Sequence, residues 1–354
     1  MERALALALK GWGRVAPNPL VGAVLLKGGE IVGEGWHREF GGAHAEIAAI
    51  ESCESPSGST CVVNLEPCTH HGKTPPCTDA LLEAGIHRLV FATRDPDPTA
   101  TGGAELLRRA GLEVVGGVLQ AEAAALNAPF LMNHVRTDVP YVALKLATSL
   151  DGFIADRSRS SQWISGEQAR SYVQWLRAGF GGVAVGLATV EQDDPQLTVR
   201  GEVEPRIPPV RIVFTRSGNL SLESQLVKTS RVTPTILVVA RGRSAAAAER
   251  LGGTAVEVLS ADGLGEALQA LRGKGVHSIL VEGGGVLARA LLEDSLVDRI
   301  YWIQAPILLG SGVPGLGLGS PRALAEAWGW TPSERRSLGG DTLLVVDREP
   351  CLPV

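Results

Sequence analysis

Residues 66–77 read EPCTHHGKTPPC, two cysteines nine positions apart around a loop with two histidines, a Gly-Lys pair and a double proline. Zinc-binding cysteines usually stand closer together, so the spacing asks what must fit between the thiolates. Upstream, His44 and Glu46 form a His-Ala-Glu at the start of a helical run, AHAEIAAIESC. Cys68 follows a strand-like run and Cys77 opens another helical one. One imidazole and two thiolates make three protein ligands with a fourth position open, the arrangement of a catalytic zinc rather than a structural one. Zinc held there would lower the pKa of a bound water toward neutrality. Glu46, two residues past His44, is the candidate general acid–base, able to pass the water's proton to a ring nitrogen and then to a leaving amine.

The elements that must hold these residues alternate. A helix near residues 2–11 precedes two strands joined by a Lys27-Gly28-Gly29 turn. The helix AHAEIAAIESC leads to the strand TCVVNLEP and the helix PPCTDALLEAG, which has proline in its first turn and Gly85 as its stop. HRLVFATRDP, ELLRRAG and LEVVGGV continue the alternation, and QAEAAALNAPFLMNHV closes it as one helix. At RTDVP (136–140) the pattern restarts, predicting domains at 1–138 and 139–354. Strands are expected at YVALKLA, GGVAVG, VRIVFT, TILVVA, AVEVLS, SILVEGG, RIYWIQAPILL and TLLVVD, with a capping box starting a helix at Ser165. Strands alternating with helices imply α/β domains with largely parallel, covered sheets. SILVEGGGVLARALL (278–292) reads as strand, glycine turn and helix, a place where backbone N–H groups can meet a phosphate.

At 354 residues the chain exceeds one ordinary core. A net charge of −5 and a pI near 5.9 argue against nucleic acid as a partner, because no basic cluster supplies the affinity. No apolar run is long enough to cross a membrane. Five cysteines without a small-scaffold pattern suggest a reduced, cytoplasmic protein, with Cys53, Cys61 and Cys351 as core or tail residues.

His-x-Glu followed by Pro-Cys and a second cysteine is the signature of zinc deaminases. Base deaminases of the common type carry Pro-Cys-x-x-Cys; here the interval is expanded to PCTHHGKTPPC. With APNPLVGAV (16–24) and GGAHAE, the first domain closely resembles the deaminase half of the bifunctional riboflavin-biosynthesis family RibD. KLATSLDGFIA (145–155), SQWISG (161–166), VGLATVEQDDPQLTVR (185–200) and VEGGG resemble its reductase half. The resemblance implies a cytidine-deaminase-like three-layer α/β/α domain followed by a dihydrofolate-reductase-like α/β domain. It implies zinc and NADPH as cofactors, and a small phosphoribosylaminopyrimidine as substrate, deaminated and then reduced from a ribosyl to a ribityl chain. It also implies a homo-oligomer.

Carried over by position, the resemblance gives Asn18 to the pyrimidine and His70 and Lys73 to the substrate phosphate. In the second domain, Ser161, Arg177, Leu197, Arg200 and Glu282 would hold substrate. Ala147, Trp163, Thr189, Asp193, Thr215 and the Gly284, Gly285, Val286, Leu287, Ala288, Arg289, Ala290 turn and helix would hold NADPH. Lys145 and Asp151 would orient the ribosyl chain, and Arg216 and Arg241 are candidates for the cofactor's 2′-phosphate. Two rival classes are a nucleic-acid deaminase, which needs a basic groove and stacking aromatics, and a deaminase whose second domain is only a scaffold.

Overall fold

The computed structural model describes residues 1–70, 75–317 and 323–348. It divides into two compact units, Met1–Val135 and Arg136–Glu349.

In the first unit, strands β1 (Gly22–Lys27), β2 (Glu30–Trp36), β3 (Thr60–Leu65), β4 (Arg88–Thr93) and β5 (Glu113–Val115) form a sheet in the order β2-β1-β3-β4-β5. β1 runs antiparallel to β2 and β3, whereas β3, β4 and β5 are parallel, so this sheet is mixed. Side-chain alternation along β1 sends Ala23 and Leu25 to one face and Val24 to the other. The first face packs under helices Ala45–Glu51, Cys77–Glu83 and Gly103–Arg109; Val24 meets Ala4 and Leu7 of helix Glu2–Ala8. The result is three layers. The closing helix breaks in two, Gln120–Leu126 and Ala128–Val135. Asn127, buried at the break, turns its side chain away to accept from Leu20 N–H (2.8 Å) and donate to Leu20 C=O (2.9 Å).

The second unit holds β6 (Tyr141–Thr148), β7 (Phe153–Ala155), β8 (Gly182–Gly186), β9 (Val210–Thr215), β10 (Thr235–Val239), β11 (Val256–Ser260), β12 (Ser278–Glu282), β13 (Arg299–Gln304), β14 (Val313–Pro314), β15 (Thr331–Leu338) and β16 (Asp341–Asp347). Nine of them form a sheet in the order β11-β10-β9-β8-β12-β6-β13-β16-β15. The run from β11 to β13 is parallel, and β16 and β15 add antiparallel strands at its edge. Val142, Leu144, Ile212 and Ile279 face one core, and Val183, Val185, Val213 and Leu237 face another, as a parallel sheet covered on both sides requires.

The expected capping box does not form. Gly166 is the N-cap of helix Glu167–Ala178 without a side-chain cap, and Asp341 accepts the Gly166 N–H at 2.7 Å. The strand predicted over RIYWIQAPILL stops at Gln304. No helix of the described residues is long and apolar enough to cross a membrane.

Candidate functional site

Gly35 of β2 lets the helix Ala45–Glu51 lie almost backbone to backbone on the sheet. A Cβ there would sit 2.3 Å from Ala49 N and 2.4 Å from Ala45 O. His44 is the N-cap of that helix, Cys68 follows β3, and Cys77 is the first residue of helix Cys77–Glu83. Three separate elements thus deliver the three ligands predicted from sequence. Their donor atoms lie within 4.8 Å of one another. His44 Nδ1 is 3.2 Å from Cys77 Sγ and 3.5 Å from Cys68 Sγ. An imidazole nitrogen and two sulfurs gathered in a largely buried corner are a donor set that suits zinc.

Charge in this corner is tightly coupled. The hydrogen bond with Cys77 holds the Cys68 thiol well below its ordinary value against the effect of burial, with His44 adding to it. The same bond, and burial, drive Cys77 up. Glu46 is buried, which raises its carboxyl, and it shares a hydrogen bond with Cys77. Asn18 Nδ2 lies 3.1 Å from Nε2 of the buried His37, whose Nδ1 is 2.9 Å from Ala43 O. The Nδ1 of His70 is buried without a partner among the described residues. Lys73 lies outside the described residues.

In the second unit a cavity of about 1670 Å³ opens at the carboxyl ends of β6, β8, β9, β10 and β12, the usual ligand position of a parallel sheet. Among its lining residues are Ala147, Trp163, Thr189, Asp193 and Thr215, all predicted for cofactor. Gly284, Gly285, Val286, Leu287, Arg289 and Ala290 line it too. Ala288 does not, being fully buried in the core behind the helix. Gly284 takes φ +79°, and a Cβ on it would press Thr189 Oγ1 at 3.2 Å.

Of the residues predicted for substrate, Ser161, Arg177, Leu197, Arg200 and Glu282 all line the cavity. Arg177 and Glu282 face one another as a bidentate pair, Nε–Oε1 at 2.5 Å and Nη2–Oε2 at 2.9 Å. Arg177 Nη1 also donates to Thr198 O at 2.8 Å, anchoring the strip that carries Leu197 and Arg200. Burial pushes Glu282 up, but Arg177 and then Lys145 outweigh it and hold the carboxyl below its ordinary value. Lys145 is lowered by burial, with Glu282 opposing. Asp151 is placed differently from the expectation. It accepts from Ser149 Oγ (2.6 Å) and from the N–H of Leu309 and Gly310, and does not line the cavity.

The comparisons with known proteins follow the same division. The family model "Cytidine and deoxycytidylate deaminase zinc-binding region" matches residues 1–93, and "RibD C-terminal domain" matches 140–342. The riboflavin biosynthesis protein RibD of Escherichia coli is 40% identical over 97% of both chains. The chain belongs to the RibD family. The RibD of Aquifex aeolicus is 38% identical over 98% of this chain and 97% of its own. The crystal structure of a diaminohydroxyphosphoribosylaminopyrimidine deaminase/5-amino-6-(5-phosphoribosylamino)uracil reductase from Thermotoga maritima superposes with a TM-score of 0.82 at 35% identity, covering 98% of this chain and 97% of that one. Acinetobacter baumannii RibD gives 0.81 at 34%, with the same coverage. As a RibD protein, the chain is a bifunctional deaminase and reductase of riboflavin biosynthesis that uses zinc and NADPH.

Reading the sequence missed some residues of the RibD deaminase corner. Glu66, buried, accepts Ala104 N–H at 3.0 Å and Asp95 N–H at 3.4 Å, tying the chain before Cys68 to two neighbouring segments. Asp95 is raised to about 6, first by burial. His37 orients Asn18. Glu66 carries no local signal, because its partners are distant in the chain.

Proposed function

We propose that His44, Cys68 and Cys77 hold the zinc, that Glu46 is the proton carrier, and that the cavity of the second unit binds NADPH and the ribosyl chain. The observation that carries the first part is the convergence of one imidazole and two thiols from three elements onto one buried point beside Glu46. A bound zinc supplies Lewis acidity and lowers the pKa of water. The rest belongs to the chain's own side chains. Glu46, buried next to Cys77, carries a proton from water to the pyrimidine ring nitrogen and on to the departing amine. Asn18, oriented by His37, reads the ring, while His70 and Lys73 receive the phosphate.

In the second half, NADPH supplies hydride. Gly284, Gly285 and the helix they open receive its diphosphate, with Ala147, Trp163, Thr189, Asp193 and Thr215 along the rest of the cofactor. Ser161, Leu197 and Arg200 take the substrate. Arg177 and Glu282 serve it as a pair, since each already satisfies the other. Lys145, on β6 beside the pair, offers a proton to the ribose ring oxygen as its bond to C1′ opens, leaving the C1′=N bond to take the hydride at C1′. The deaminase domain spans 1–138 and the reductase domain 139–354. The reading includes a cytoplasmic homo-oligomer that binds no nucleic acid, supported by free thiols at Cys53 and Cys61 and by the acidic composition.

Metal analysis tests the zinc site. Purified wild type should carry one zinc per chain, and Cys68→Ser/Cys77→Ser none. Zinc retained in the double variant would remove these ligands from the account. Light scattering that gave the mass of a single chain would remove the oligomer.

A further inference from the structure

We propose that Arg216 reads the 2′-phosphate of NADPH, and that Arg241 serves the same choice indirectly, by neutralising Asp262. The proposal rests on the reading that the cavity holds the dinucleotide with its diphosphate at the Gly284–Gly285 helix start. From that point the cavity runs across the sheet, past β8, to the residues that follow β9, β10 and β11. β9 is two strands from β12, roughly 10 Å at about 4.8 Å per strand, the scale of a ribose plus the reach of a side chain. The charged residues lining this end are Arg216, directly after β9, and Asp262, just past β11.

The two arginines singled out in the sequence separate here. Arg241 does not line the cavity. Its Nε meets Asp262 Oδ2 at 2.9 Å, its backbone N–H donates to Asp262 Oδ1 at 3.1 Å, and its Nη2 bonds Glu266. Two carboxylates therefore consume its charge. Arg216 is exposed to the cavity and pairs with no carboxylate among the described residues. A guanidinium with uncommitted donors is suited to a phosphate dianion.

Asp262 gives the arrangement its logic. An acidic side chain beside an adenosine ribose accepts from the 2′-hydroxyl of NADH and repels the 2′-phosphate of NADPH, whereas an arginine does the opposite. Arg241 offsets that repulsion from outside the cavity and leaves Arg216 as the deciding charge.

The test is the affinity for NADPH and, separately, for NADH by fluorescence titration in the absence of substrate, together with the reductase rate with each on pre-deaminated substrate. The binding ratio should move with the rate ratio. Arg216→Gln should lower kcat/KM for NADPH by about 10- to 100-fold, the cost of losing a hydrogen bond between charged groups, and lower that for NADH far less. The preference ratio collapses. Arg241→Gln should shift the ratio the same way by a smaller factor, and adding Asp262→Asn should restore it. Equal effects of Arg216→Gln on both cofactors, or none on either, would overturn the proposal. Val286→Glu, an exposed position at the start of the cofactor helix, checks the underlying reading separately. A carboxylate there should weaken both cofactors alike. If both were untouched, the placement of the dinucleotide itself would fail, whatever Arg216 does.

Discussion

Glu282 and Arg177 show how one buried pair bears on the stability of the reductase half. Both are buried, and Lys145 is close enough to pull Glu282 down. Glu282→Gln would leave two cations facing a neutral group, and breaking a buried pair in this way costs about 3–5 kcal/mol. The pH dependence follows from the direction of the shift. Glu282 sits below its ordinary 4.5 in the folded protein, so its contribution is complete above that value and is lost as pH falls through the folded one. Denaturant unfolding of wild type and Glu282→Gln from neutral pH downward should show a stability gap that narrows in acid. A gap independent of pH would contradict the pairing. At this scale the sequence was informative where residue type and order carry chemistry, as with His44, Glu46, Cys68 and Cys77. Glu66 was not legible, since it acts through backbone groups brought in from elsewhere.

Elements position the zinc corner through close backbone approach. Gly103 opens a helix directly against Pro67, the neighbour of Cys68, and a Cβ on it would fall 1.9 Å from Pro67 O. Gly103→Ala must therefore displace the Pro67–Cys68 segment or the helix. Overpacking of this kind typically costs about 1–3 kcal/mol. The expected outcome is lower thermal stability together with weaker zinc retention against a chelator. Unchanged zinc retention would mean that the segment adjusts without moving Cys68. Most strands were legible because a covered parallel sheet needs apolar runs such as VRIVFT and TILVV. β15, TPSERRSL, was not, because seven of its eight residues are exposed on the sheet's edge and leave no apolar period. The expected capping box was overridden by Asp341, 175 positions away, a contact no local pattern announces. The break at Asn127 has the same origin, a side chain drawn off to Leu20.

At the scale of the whole molecule, each unit has its own sheet and its own cores, and the residues of the zinc corner and of the reductase cavity come from different units. Lesions should therefore act separately. The most direct measurement gives Glu46→Gln and Arg200→Ala the diamino substrate and, separately, the deaminated intermediate with NADPH. Glu46→Gln should lose deamination by about 10²–10⁴, the usual worth of a general acid–base group, and keep its zinc and its reductase rate. Arg200→Ala should deaminate normally and lose about 10- to 100-fold in reductase kcat/KM. Near-normal deamination by Glu46→Gln, or equal damage to both steps by either variant, would contradict the account of one chain with two chemically separate sites.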